Sequence, residues 1–242
     1  MIRIAILLLA AIGPVSAALA DDLLTFTTEA YPPYAYREAD GTNRGAGIDQ
    51  VTTMMADIDT PFQVEIMPWA RAIALAETQP MHCVFAAART PEREARFKWV
   101  LPLFVDRALL VAREGTGLGS LDVEAAKSRH LGTHRADYTE VLLADMGFRS
   151  VDISADFATT VRKLLEERIE LMPMSESVFQ ELRAQGTPLE EVLILSTQPL
   201  GFACNLSLPD VLIAQMQVAL EKLIATGAQD RILANYGVFR PQ

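Results

Sequence analysis

The 242-residue chain has few of the residues from which catalytic and metal centres are usually built. It carries two cysteines and three histidines. His82, His130 and His134 have no close metal-ligand company in sequence, so they are read as surface residues rather than zinc ligands. No Gly-x-Ser-x-Gly turn occurs, and Ser175-Glu176-Ser177 has no histidine nearby in sequence, which leaves a hydrolase triad without support. The loop GTNRGAG at 41–47 lacks the Gly-Lys-Ser/Thr ending of a phosphate-binding loop. Positive charge is also scarce: Lys and Arg number 21 against 31 Asp and Glu, a formal net charge of −10. So acidic a chain is a poor nucleic-acid binder, because affinity there comes mostly from neutralised phosphates. Any anion site must therefore be a local positive exception. No catalytic residue, metal ligand or cofactor is expected.

Long apolar runs are absent beyond the N-terminus, so no membrane-spanning helix is expected in residues 21–242. Residues 1–20 combine Arg3, an apolar run at 4–12 and Ala18-Leu19-Ala20 before Asp21. That is the pattern of a secretory signal peptide, and its apolar core is too short for a span. The mature chain is therefore expected in the periplasm. A cysteine pair in an oxidising compartment is more often bridged than free. The residues alone leave two states open for Cys83 and Cys204: a disulfide, or two reduced cysteines buried in separate strands.

Strand-like and helix-like segments alternate along the chain. Strands are expected at 23–28, 62–66 and 83–88, with helices at 48–58 and 70–78 between them. After Pro102 a second alternating unit begins, with strands near 108–112, 130–134, 150–154 and 169–174. Its helices are expected near 121–128, 138–146 and 157–168. Extended segments at 192–196 and 200–205 lead to helices at 209–225 and 229–236. Two α/β lobes follow, each with a mostly parallel sheet, joined by ordered strands because no Ser/Gly linker is present.

Ligands of open α/β sheets sit beyond the carboxyl ends of the strands. Three stretches of the first unit fall there: Glu29 to Tyr34, Met67 to Arg71, and AARTPERE at 87–94. In the last, Thr90 suits an N-cap and Pro91 a first helical position. Arg93 is out of place, since a cation near a helix N-terminus opposes the dipole. Two readings stay open. Arg93 clamps a carboxylate through its planar fork, or it pairs with Glu92 or Glu94 on a solvated face. Tyr31, Tyr34, Tyr36 and Trp69 also lie at or past predicted strand ends, where aromatic faces can hold an apolar or cationic ligand portion.

The order and spacing of YPPYAY, DGTNRGAGID, PWARAI, RTPEREARFKWVLPL and ALEKLIATGAQDRILANYG resemble the periplasmic solute-binding proteins of polar amino-acid ABC transporters, extracellular family 3. The resemblance covers residues 23–237. It implies a type II periplasmic binding fold: lobe 1 from 21–106 plus 202–242, lobe 2 from 107–201, and two extended crossovers between them. It implies that Cys83 and Cys204 lie on neighbouring strands, which favours the disulfide. It also implies a monomer that needs no cofactor and hands a small carboxylate-bearing solute to an inner-membrane ABC permease.

The ligand residues that the resemblance implies match unevenly. Its carboxylate-binding arginine falls on Arg93 and its ring-stacking aromatic on Tyr31. Two positions that usually offer hydroxyls fall on Ala86 and Ala88, where only the backbone N–H of Ala88 can serve. The aspartate that usually meets an α-ammonium falls near Ser175, with Glu176 expected to point away and Glu29 able to supply negative charge. The second-lobe anion loop falls on residues 135–138, including Tyr138 but not the usual glycine. Arg89 and Arg71 are extra cations, and Arg89 fits either a ligand contact or a surface salt bridge. Trp69 and Tyr34 complete the expected ligand set. The weakened ammonium side suggests a carboxylate lacking an α-amine, or an amino acid in an altered pose. Two alternatives accompany this reading: an enzyme of the cyclohexadienyl dehydratase type using Glu29, Glu176 or Asp137, and a ligand sensor that docks on a membrane receptor.

Overall fold

A computed structural model describes residues 23–238. The signal-peptide assignment at 1–20 lies outside the described residues. The first elements are β1 (Leu24–Thr28), β2 (Tyr36–Arg37), β3 (Asn43–Arg44), α1 (Ala46–Met55), β4 (Phe62–Ile66), α2 (Trp69–Thr78), β5 (His82–Ala88), α3 (Pro91–Glu94) and β6 (Lys98–Arg113). Then come α4 (Val123–Ala126), β7 (Leu131–His134), α5 (Thr139–Asp145), β8 (Val151–Ser154), α6 (Phe157–Leu165) and β9 (Leu171–Ser175). The last are α7 (Glu176–Ala184), β10 (Leu189–Cys204), α8 (Asp210–Ala225) and α9 (Ala228–Asn235).

Eight strands form one sheet in the order β4-β1-β5-β10-β6-β9-β7-β8. β1 pairs in parallel with β4 and β5, and β7 in parallel with β8 and β9. Within this sheet every antiparallel pairing involves β6 or β10, each 16 residues long, which run side by side through both halves of the sheet. They are the two crossovers. Buried residues recur at helical spacing on α1 (Ile48, Val51, Met54, Met55) and α2 (Trp69, Ala72, Ile73, Ala76), which seats both helices on the sheet. Central β1 is buried along its whole length, as expected of a strand covered on both faces. No described helix is by itself long and apolar enough to cross a membrane.

Three sequence expectations change. The strand expected at 108–112 is the second half of β6, which begins at Lys98 and passes through Pro102 without ending. The pairing with β10 bulges between Leu200 and Phe202. At the bulge the Gln217 side chain on α8 takes both polar groups of Leu101: Oε1 accepts from its N–H at 3.0 Å and Nε2 donates to its carbonyl at 2.8 Å. The expected 192–196 and 200–205 segments are likewise one strand, β10. Leu200 and Gly201 pair with Ala88 and Ala87 of β5, and Thr197, Gln198 and Pro199 with Arg107, Asp106 and Val105 of β6. The helix expected at 121–128 is the short turn α4, capped by Asp122 accepting from the N–H of Ala125 at 2.8 Å.

Cys83 and Cys204 are register partners on β5 and β10 and form a disulfide. The β2–β3 hairpin returns the chain to α1 through Gly45, whose φ is +129°. A Cβ there would lie 2.4 Å from the carbonyl oxygen of Tyr34. Gly45→Ala is expected to lower stability by roughly 2 kcal/mol, measured by denaturant unfolding. An unchanged midpoint would show that the hairpin does not depend on this close approach.

Candidate functional site

The ends of β1, β5, β7 and β9 converge where β6 and β10 cross, and enclose a cavity of about 60 Å³. From one half of the sheet it is lined by Glu29, Tyr31 and Tyr34 after β1, Trp69 at the start of α2, Ala86 and Ala88 on β5, and Arg93 on α3. From the other half come His134 at the end of β7, Asp137, Tyr138 and Thr139 after it, and Ser175 at the end of β9. Asp106 enters from β6 itself.

Arg93 is 5% exposed. Its Nη2 donates to the carbonyl of Ala136 at 2.8 Å and its Nη1 to that of Ala88 at 3.3 Å. Its guanidinium carbon lies 5.8 Å from the centre of the Trp69 ring, and Trp69 Nε1 donates to the same Ala136 carbonyl at 2.9 Å. Ala136 presents that carbonyl from a left-handed backbone, φ 62°, without being glycine. Among the described residues no carboxylate lies within 4.0 Å of the Arg93 guanidinium. Burial pulls its pKa down, with Asp137 opposing. A cation of this kind is a ready partner for an anion.

The two arginines of AARTPERE divide the two sequence readings between them. Glu94 does pair with an arginine on the solvated face, but with Arg89, at 2.5 and 2.6 Å. Arg89 therefore lies outside the cavity, and the expectation of a ligand contact for it is corrected to a surface ion pair. Arg71 is exposed on α2. Thr90 precedes α3 without capping it through its side chain, and α3 is a single four-residue turn.

Acidic groups supply the other side of the cavity. Asp106 is 7% exposed, and its Oδ1 accepts from Ser175 Oγ at 2.5 Å and from the Tyr34 hydroxyl at 3.1 Å. Burial raises its pKa to about 6, against the pull of those two bonds. The backbone N–H of Ser175 donates to the Tyr31 hydroxyl at 2.8 Å, and the Tyr31 ring stacks on Tyr34 at 6.2 Å. Burial pushes the hydroxyl pKa values of Tyr31, Tyr34 and Tyr138 up, so all three stay protonated. β9 ends at Ser175, and Glu176 opens α7 in a two-bond ion pair with Arg107 at 2.5 and 2.8 Å.

The surface reading of His134 is overturned. It is 6% exposed, with Nε2 3.2 Å from Glu29 Oε1 and 3.9 Å from Asp137 Oδ2. Burial opposes its charge, but Asp137, Glu29 and Asp156 outweigh it and raise His134 to about 9. Burial raises Glu29 as well, and the adjacent imidazolium draws it back. A free histidine titrates near 6.5, so a raised folded value adds stability that is complete below about pH 6.5 and is lost as pH climbs through about 9. Between those limits the wild type should lose on the order of 2 kcal/mol more than His134→Gln, read from chemical denaturation at each pH. Parallel curves would show that the imidazole carries no charge there. His130 is exposed, with Nδ1 2.7 Å from Ser150 Oγ, and no described cluster of three or more His, Cys, Asp or Glu could hold a metal.

Asp106, His134 and Thr139 line the cavity without having been among the ligand residues expected from sequence. A signal existed for the first: it is the lone acid within the apolar stretch VLPLFVDRALLVA at 100–112.

The model of the bacterial extracellular solute-binding proteins, family 3, matches residues 23–239. A comparison with curated proteins finds no match. Among solved structures the fold overlaps a histidine kinase sensor domain with similarity to periplasmic binding proteins, at a TM-score of 0.82 and 17% identity, over 90% of this chain and 97% of that one. It overlaps a Salmonella typhimurium periplasmic binding protein of high arginine specificity at 0.76 and 18%, over 88% and 98%. It also overlaps an ancestral amino acid-binding protein, a precursor of cyclohexadienyl dehydratase, at 0.78 and 15%, over 89% and 95%. At such identities the overlaps speak for the type II periplasmic binding fold alone. The match over nearly the whole chain decides the family: this protein belongs to the bacterial extracellular solute-binding proteins, family 3.

Proposed function

We propose that the chain, as a periplasmic monomer, captures a small polar solute, an amino acid or a related carboxylate, and delivers it to an inner-membrane ABC permease. The observation that carries this reading is Arg93, a buried guanidinium with no carboxylate partner among the described residues, lining a cavity between two halves of one sheet. The solute carboxylate meets Arg93 beside Trp69, and Tyr31 covers it. The backbone N–H of Ala88 is a further donor, and Tyr138 bounds the cavity on the side of β10.

Among the described residues only β6 and β10 carry the sheet from one half to the other, and opening about residues 105–107 and 197–199 admits the solute. Closing is favoured by bonds that span the cleft: Arg93 and Trp69 to Ala136, Ser175 to Tyr31, and Glu29 with His134. A solute that binds only the folded protein raises its melting temperature. At a concentration 100 times Kd the gain is about 2.7 kcal/mol. A thermal-shift panel of the common amino acids and small carboxylates tests the reading: a rise of several degrees with one chemical class supports it, and flat melting across the panel overturns it.

An enzyme on the same scaffold is the second reading. It is favoured by Asp106, a cavity carboxyl with its pKa near 6, a value suited to proton transfer. Product formation from prephenate or arogenate decides for it, and unchanged substrate decides against it.

A further inference from the structure

We infer that Asp106, held by Ser175 and Tyr34, is the counter-charge for a cationic nitrogen of the solute, so that amine recognition resides on a crossover strand. This rests on the solute-binding reading and adds which residue selects the ligand.

Two buried charges in the cavity lack a partner of opposite sign. Arg93 meets no carboxylate within 4.0 Å among the described residues, and Asp106 meets no Lys, Arg or His nitrogen within that distance. Arg107, adjacent to Asp106 in sequence, is committed to Glu176 instead. The other charged groups of the cavity gather on His134, whose Nε2 lies 3.2 Å from Glu29 and 3.9 Å from Asp137. An unpaired buried charge is costly, and two of opposite sign that do not reach each other are satisfied together by a ligand carrying both complements. A carboxylate alone would meet Arg93 and leave Asp106 unanswered. A zwitterion meets both.

Burial opposes ionisation of Asp106, and a cationic partner would offset it. Ser175 Oγ and the Tyr34 hydroxyl both donate to Oδ1, and such bonds favour the ionised carboxylate. Ser175 brings no charge of its own, so the acid behind it supplies the charge. Tyr34 lies in one half of the sheet, Ser175 in the other and Asp106 on the strand between them. A nitrogen bound at Asp106 is therefore sensed where the two halves pivot. Of the two solutes that the weakened ammonium side suggests, a carboxylate lacking an α-amine or an amino acid in an altered pose, Asp106 favours the second.

The test uses matched probes that differ by one amine: L-arginine with 5-guanidinopentanoate, L-glutamine with glutaramate, and L-glutamate with glutarate. Isothermal titration calorimetry at pH 7.5 is run on the wild type and Asp106→Asn, which keeps the shape and removes the charge. For the pair that binds, the wild type should prefer the amine-bearing member by about 30-fold or more. Asp106→Asn should erase that preference and leave the amine-free member within about threefold of the wild type. Ser175→Ala serves as a second variant if Asp106→Asn fails to fold, and should lower affinity for the amine-bearing member alone. Equal affinity of the two members for the wild type, or equal losses for both in the variant, overturns the inference while leaving solute binding intact. No heat from any probe of either kind overturns the solute-binding reading for these classes, and the inference with it.

Discussion

Arg93→Ala is expected to abolish binding of any carboxylate that the thermal-shift panel identifies. Truncating one member of a buried, hydrogen-bonded charge pair costs about 2–5 kcal/mol or more, which is roughly 30-fold to several-thousandfold in affinity. Arg93→Lys keeps the charge but loses the planar fork that reaches two acceptors, so it should fall between the wild type and alanine. The unliganded protein should behave differently. Its guanidinium is already buried without an ion-pair partner, so removing it should leave melting unchanged or raise it. Trp69 still holds the Ala136 carbonyl in the variant. The expected signature is therefore a lost ligand response with no lost stability, seen by calorimetry and thermal shift on the same sample. Undiminished affinity in Arg93→Ala would refute the role of this residue.

The second large effect concerns the disulfide. Cys83 and Cys204 are 121 residues apart in sequence, and both are fully buried at the pairing of β5 with β10. A cross-link over so long a loop restricts the unfolded chain, and removing a native bridge of this kind typically costs 2–5 kcal/mol. For a chain of this size that is roughly 5–15 °C in melting temperature. The paired Cys83→Ala, Cys204→Ala variant should show such a drop while keeping its ligand response, because neither cysteine lines the cavity. A melting temperature equal to that of the wild type would mean that the bridge does not constrain the unfolded state.

Much of the fold is legible in the sequence because alternation of strand and helix periods is a local property. The parallel strands at the cleft and the helices α1 and α2 follow from it. The crossovers were legible only in part. Pro102 reads as a breaker, and nothing local says that Gln217, far along the chain on α8, will satisfy the backbone of Leu101 so that β6 can continue. The same limit applies to the site. AARTPERE contains both a surface ion pair and a buried cation, and only the approach of the Ala136 carbonyl selects Arg93 over Arg89 for the interior. His134 ends an ordinary strand, and its charge comes from Glu29 across the cleft and from Asp137 beyond the strand end. Asp106 was visible as an acid in apolar surroundings, but its bonds to Tyr34 and Ser175 join residues 72 and 69 positions away.

The most direct test of solute capture is native mass spectrometry of the purified chain, before and after incubation with the amino-acid and carboxylate panel, beside Arg93→Ala. The account predicts one small solute per wild-type chain, released on unfolding, and a bare chain for the variant. A bare wild-type chain under every condition, or equal occupancy of wild type and Arg93→Ala, would contradict it.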